Sequence, residues 1–275
     1  MKIKLLLCVA ALSISCASFA ESVTSSKGAE LKPFNNVRVS VQRMLRSNEG
    51  RYFLNLNAGV WNPHGTLYDL VENKSINLKG LQKGDQLNLT SVASESNDAD
   101  NTVYQLIGTL NANTGNMNAL LLKNKETFGQ SIQFQPSVNI ADKPAFIFKF
   151  YGLDNSTQAS GKILQRVDVI NKTTNKMVQS LTGFNAFSNS MGYMDINFDG
   201  YYDVILSDVS SGLKVEDKHF IYWMYNPKTQ QFQRSPQLDK IVGFPSLHGE
   251  KQQIDFGNGQ LYQVENGLLK KINYQ

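Results

Sequence analysis

Asp195-Ile196-Asn197-Phe198-Asp199-Gly200-Tyr201-Tyr202-Asp203-Val204-Ile205-Leu206 is an oxygen-rich loop that passes directly into a β-branched run. Asp195, Asn197, Asp199 and Asp203 stand at its positions 1, 3, 5 and 9, with Gly200 at position 6. That spacing wraps a loop around Ca²⁺, because alternate residues point inward and the glycine permits a sharp turn. The backbone carbonyl of Tyr201, at position 7, would complete the protein ligands. At position 12 Leu206 stands where a helix-flanked calcium loop carries a bidentate glutamate, and no helical pattern flanks the segment. The chain therefore leaves the loop as a strand. A closed cage of oxygens offers no activated water, so the expected role of the ion is structural.

Outward from this loop the same short β-rich runs recur. Upstream they lie at Arg51 to Asn57, Ser75 to Lys79, Gln86 to Val92, Val103 to Asn111 and Ile132 to Phe134. Asn113-Thr114-Gly115-Asn116, between Leu110 and Met117, reads as a hairpin turn. The pattern pauses around Ala141-Asp142-Lys143-Pro144 and resumes at Phe146 to Tyr151, Lys162 to Ile170 and Gln179 to Phe184. Beyond the loop, runs follow at His219 to Tyr225, Gln231 to Arg234, Gln252 to Phe256, Gln260 to Glu265 and Leu268 to Ile272. Val37 to Leu45 is the one helix-like stretch, with Val37, Val41, Met44 and Leu45 at i, i+4, i+7 and i+8, though Val39 also permits a strand. Closely spaced strands without intervening amphipathic helices point to an all-β sandwich, barrel or propeller and away from an α/β fold.

The N-terminus reads as a secretory signal peptide over residues 1–20. Lys2 and Lys4 precede the apolar Leu5 to Ala11, and Ser18 and Ala20 supply small residues at the −3 and −1 positions before Glu21. The apolar core is too short for a transmembrane span, which takes about 20 residues. Leu12-Ser13-Ile14-Ser15-Cys16 outlines a lipobox that would lipidate Cys16, but Ser13 sits where such boxes carry leucine, so cleavage after Ala20 is the expected processing. A periplasmic or secreted destination follows. Residues 21–36 form a polar lead-in, residues 37–139 an N-terminal β-hairpin and sheet region, and residues 140–275 a C-terminal β domain.

Both cysteines, Cys8 and Cys16, fall within the leader, so the mature chain would hold no disulfide and no thiol site. The net charge is only +4, and cleavage removes Lys2 and Lys4 without any acid. Such a balance gives no basic face for nucleic acid.

Little else points to chemistry. His64, His219 and His248 are scattered, without metal-ligand spacing. No Gly-x-Ser-x-Gly, phosphate loop or dinucleotide fingerprint occurs. Glu72, Glu95 and Asp98 could suggest a glycosidase pair, yet Glu95 to Asp100 reads better as an acidic loop. An enzyme is not expected. In the run Phe220-Ile221-Tyr222-Trp223-Met224-Tyr225 both strand faces are apolar, which implies burial on both sides. The other reading of Tyr222, Trp223 and Tyr225 is an aromatic platform for a partner.

Asp195 to Asp203 followed by Tyr222-Trp223-Met224-Tyr225-Asn226-Pro227-Lys228-Thr229-Gln230-Gln231-Phe232 has the order D-x-N-x-D-G-Y-x-D, strand, Y-W-x-Y-N-P-K-T-x-x-F. This resembles a family of bacterial periplasmic proteins related to the Xanthomonas immunity protein, which neutralises a lysozyme-like effector delivered by a type IV secretion system. The loop itself is similar to the calcium loops of integrin-type propeller blades. Ser235-Pro236-Gln237-Leu238 and Leu261 to Leu269 extend the likeness, which covers about residues 140–275. Upstream, Tyr52-Phe53-Leu54, Ile76 to Gly80 and Leu106 to Gly115 resemble, more loosely, hairpins found ahead of such domains. The resemblance implies a small, divergent β-propeller-like fold, with two packed antiparallel β domains as the alternative. It also implies Ca²⁺ held by Asp195, Asn197, Asp199, Tyr201 and Asp203, and a secreted cell-wall hydrolase as partner, inhibited by occlusion of its cleft. No inhibitory loop can be matched.

Overall fold

The computed structural model describes residues 30–59, 61–92, 102–124, 126–155, 161–209 and 217–273, and among these no α-helix occurs. The segment expected to be a signal peptide, both cysteines, Glu95 and Asp98 lie outside the described residues. The all-β class expected from the strand spacing is the class the chain adopts.

Eight strands follow one another as an antiparallel meander: β2 (Arg38–Ser47), β3 (Tyr52–Ala58), β4 (His64–Asp69), β5 (Lys74–Lys83), β6 (Gln86–Ser91), β7 (Tyr104–Leu110), β8 (Met117–Lys123) and β9 (Gln130–Pro136). The hairpin expected at Asn113 to Asn116 joins β7 to β8, with Leu110 opposite Met117. β9 then returns to β2, pairing Leu45 with Pro136 and Ser47 with Phe134, so the ring closes. Propeller blades, the architecture expected from the resemblance, do not form here. Each strand bonds to the next around one ring, which removes the edges that separate blades would retain. Alternate residues point inward, and Leu54, Leu56, Leu67, Leu87, Leu89 and Leu106 fill the interior. An eight-stranded barrel is just wide enough for such packing, so this is a core without a lumen. Gly65 and Gly80 let neighbouring backbone approach closely; a Cβ at either would strike the carbonyl of Asn55 or Asn88.

Val37 to Leu45, read above as helix-like, is strand β2 from Arg38 onward. Its helical spacing arose because both faces are covered. Leu45 joins the barrel core, Val39 and Val41 pack on a second core, and Met44 joins a third. Beyond the barrel, β2 pairs in parallel with β13 (Ala186–Met194), Arg38 lying opposite Ser190 and Val41 opposite Tyr193.

The second core is enclosed by β10 (Phe146–Asn155), β11 (Gly161–Asn171), β12 (Met177–Leu181), β13, β14 (Asp203–Asp208), β15 (Phe220–Asn226) and β16 (Gln231–Arg234), with β1 (Lys32–Phe34) on the outer side of β10. β11 pairs with β12 at one end and β13 at the other, and β13 to β16 form a meander. The gap between β12 and β16 is spanned by one side chain. The Gln179 amide donates to the Phe232 carbonyl and accepts the Phe232 N–H, both at 2.8 Å, in place of a ladder. Val204 and Leu206 face this core while Ile205 faces the third, which explains the unbroken apolar run of β14.

A four-stranded sheet, β17 (Ser246–His248), β18 (Gln253–Asp255), β19 (Leu261–Glu265) and β20 (Leu268–Ile272), completes the chain. Its Leu247, Ile254, Phe256 and Val264 meet Met44 and Phe53 of the barrel and Tyr222 of β15 in the third core. The barrel and these later strands belong to one compact unit, Leu31–Gln275.

Candidate functional site

Met194 ends β13, and Asp203 opens β14, so the oxygen-rich loop is the turn between two paired strands. Ile196 anchors it from below, buried in the third core. Phe198 and Gly200 take left-handed backbone, φ 55 and 90°, and a Cβ on Gly200 would strike Val138 and Ile140. Here the glycine is required twice, for its conformation and for its space.

The carboxylates organise the loop from within. Asp195 accepts the N–H groups of Asp199 at 3.0 Å and Gly200 at 2.8 Å. Asp199 accepts Tyr201 N–H and Asn197 Nδ2–H, each at 2.9 Å. Asp203, wholly buried, accepts Ile196 N–H at 2.9 Å and Tyr225 N–H at 2.8 Å. Tyr201 stacks against Tyr225 at 5.4 Å between centroids, so the loop is joined to β15 twice.

Burial, and then the neighbouring Asp199 charge, push the Asp195 carboxyl up to about 7, against the Gly200 N–H and the Lys143 ammonium. Burial and Asp195 likewise hold Asp203 well above the ordinary carboxylate range. Lys143 lies 3.3 Å above the Tyr202 ring. Burial pulls its ammonium down to about 8, and the charge of Asp195 opposes that. Sequence reasoning passed over Lys143, which stood in the apparent pause before Pro144.

Oxygen donors of this kind suit a hard cation. Asn197 Oδ1 is buried without a hydrogen-bond partner, and the Asp195 and Asp199 carboxylates share its loop. Asp203 is engaged with Ile196 and Tyr225. Among the described residues no three His, Cys, Asp or Glu side chains gather as a metal cage. The oxygens a hard cation would have to draw on are Asn197 Oδ1 and the Asp195 and Asp199 carboxylates, with the Tyr201 carbonyl by loop position; both carboxylates, like that of Asp203, already accept donors of the chain.

The other candidates are dispersed. Glu72 pairs with Arg51 at 2.7 Å. His64 lies in β4 against the Asn62 carbonyl, His219 against the Asp239 carbonyl, and His248 in β17 lies 3.7 Å from Glu250. Tyr222 is 0 % exposed and Tyr225 6 %, while Trp223 is half-buried with the Arg234 guanidinium over its ring. The two tyrosines pack in the core and offer no open platform.

Among the described residues, side chains from distant elements also enclose surface cavities. One, about 670 Å³, is lined by amide side chains including Asn57 and Asn62, with His64 and two exposed aromatics, Trp61 and Phe244. Another, about 910 Å³, lies between β2, the turn after β7 and the segment leading into β10. Neither was legible in the sequence, because each is assembled from residues far apart in the chain.

The fold and loop define an all-β chain with a closed barrel and an oxygen-rich inter-strand loop. The chain matches no protein-family model and no curated protein.

Proposed function

We propose that this chain is an exported, non-catalytic binding protein that blocks a peptidoglycan-degrading, lysozyme-like enzyme by occupying its cleft, and so confers immunity. The observation that carries the reading is the union of the two halves of the motif on which the resemblance rests. Asp203 of the loop bonds to Tyr225 of the Y-W-x-Y-N-P-K-T segment, and β14 pairs with β15 between them. They form one folded unit, as a shared scaffold requires. Ca²⁺ on Asp195, Asn197 and Asp199 would neutralise the loop's charge and stiffen the scaffold that presents the binding surface. No helix among the described residues is long and apolar enough to cross a membrane.

A second reading, a glycan- or cell-surface-binding module, is favoured by one feature. Trp61 and Phe244, 44 % and 42 % exposed, flank the amide-lined cavity, a chemistry suited to stacking and hydrogen bonding a sugar. The deciding experiment is a pull-down with the purified chain against secreted and periplasmic proteins, scoring peptidoglycan lysis by whatever is captured. Capture of a hydrolase with loss of its activity supports inhibition. Retention on isolated cell wall without hydrolase capture overturns it in favour of the glycan module.

A further inference from the structure

Arg43 occupies a position where strand periodicity calls for an apolar side chain. It shares a face of β2 with Val39, Val41 and Leu45, all of which pack into hydrophobic cores. One Nη of its guanidinium donates to the Ala112 carbonyl at 2.8 Å, and Nε is buried with no hydrogen-bond partner. A buried charged donor left without an acceptor is costly, and such a group calls for a partner.

Nε itself is closed off from solvent, but the Arg43 side chain, which also hydrogen-bonds Tyr202, lines the cavity of about 910 Å³. The volume lies within the range of small-molecule sites. Val41, Phe146 and Phe148 give it apolar walls, and Lys143 and Lys172 add positive charge, with Asp142 the one acid lining it. Lys172 is held at the rim by Asn113 Oδ1 at 3.1 Å. The lining thus joins a cationic corner to a large apolar surface. From this geometry we infer that the cavity binds a small organic carboxylate with an apolar body, its carboxylate on Arg43 and its body against β10. A guanidinium presents parallel N–H donors that match the two oxygens of a carboxylate, and a charge-assisted pair of that kind is among the stronger hydrogen bonds.

The test is isothermal titration calorimetry of the full chain with decanoate, 1-decanol and acetate. Decanoate should bind one to one, at least about tenfold tighter than either the uncharged alcohol or the short acid. Arg43→Met, which keeps length and removes charge, should weaken decanoate by about tenfold or more and leave decanol unchanged. Ala145→Trp, at an exposed position of the lining, should block decanoate by filling the space, and it serves if the Arg43 variant fails to fold. Equal binding of decanoate and decanol, decanoate affinity unchanged in both variants, or no heat with decanoate would each overturn the inference.

Discussion

Asp203 Oδ1 accepts the backbone N–H of Tyr225 at 2.8 Å, just past the point where Val204 pairs with Trp223. The side chain continues the ladder that the β14 backbone abandons as it turns into the loop, while Oδ2 satisfies Ile196 N–H. Asp203→Ala would leave both donors buried and unpaired. Each such loss costs about 1–3 kcal/mol, so destabilisation of roughly 2–6 kcal/mol is expected. Asp203→Asn keeps one acceptor and should fall between the two. Urea unfolding of the three proteins measures the order, and an alanine variant as stable as the parent would refute the bracing role.

Gln179 makes a comparable substitution of side chain for strand. Its amide supplies both a donor and an acceptor to Phe232, closing β12 on β16 beside the packed rings of Phe146, Tyr225 and Phe232. Gln179→Ala should cost about 1–3 kcal/mol. Gln179→Glu should cost at least as much, because a carboxylate oxygen would then face the Phe232 carbonyl. Thermal melts near neutral pH check both, and a glutamate variant more stable than the alanine one would contradict the geometry.

These two contacts mark where sequence reasoning stops. Most strands were legible because alternation and turn residues are local properties. β4, with its His64-Gly65-Thr66 start, and β13, rich in Ser, Asn and Gly, escaped notice since neither presents a clean apolar alternation. β2 misled because three cores take residues from it, which produced a helix-like spacing on a strand. The oxygen-rich loop was readable since its spacing lies within nine residues. Lys143, Arg43 and Gln179 were not, because each acts on partners brought near only by the closed topology. The barrel itself depends on the return of β9 to β2, a pairing that no local pattern announces.

Asp69 predicts an acid limb to the stability curve. Burial alone would raise its carboxyl, but Arg51 and the N–H groups of Glu72 and Val71 outweigh that and hold it below its ordinary value. A depressed folded-state value means that the contribution is present above the ordinary value of 3.8 and is lost as pH falls through the lower, folded one. Asp69→Asn should therefore melt below the parent at pH 7, and the difference should shrink as both are taken toward pH 2. A difference that stays constant with pH would show that the pair with Arg51 carries no linked proton.

Asp199 tests the calcium reading apart from any partner. Its carboxylate accepts Tyr201 N–H and the Asn197 amide, and with Asp195 it makes up the acidic half of the donor set. An ion that binds only the folded chain stabilises it by mass action, by about 2.7 kcal/mol when free calcium is a hundred times the dissociation constant. The parent should melt higher in calcium than in chelator. Asp199→Ala should melt lower than the parent in calcium and show no response to the ion, since it loses a donor as well as the Tyr201 contact. Lys143 gives a second handle, because its ammonium competes for the same carboxylates. Lys143→Met should bind calcium more tightly than the parent, and its melting temperature should rise further on addition of the ion. Identical curves for the parent and the Asp199 variant, with and without chelator, would remove calcium from the account while leaving the hydrogen-bonded loop as a purely internal brace.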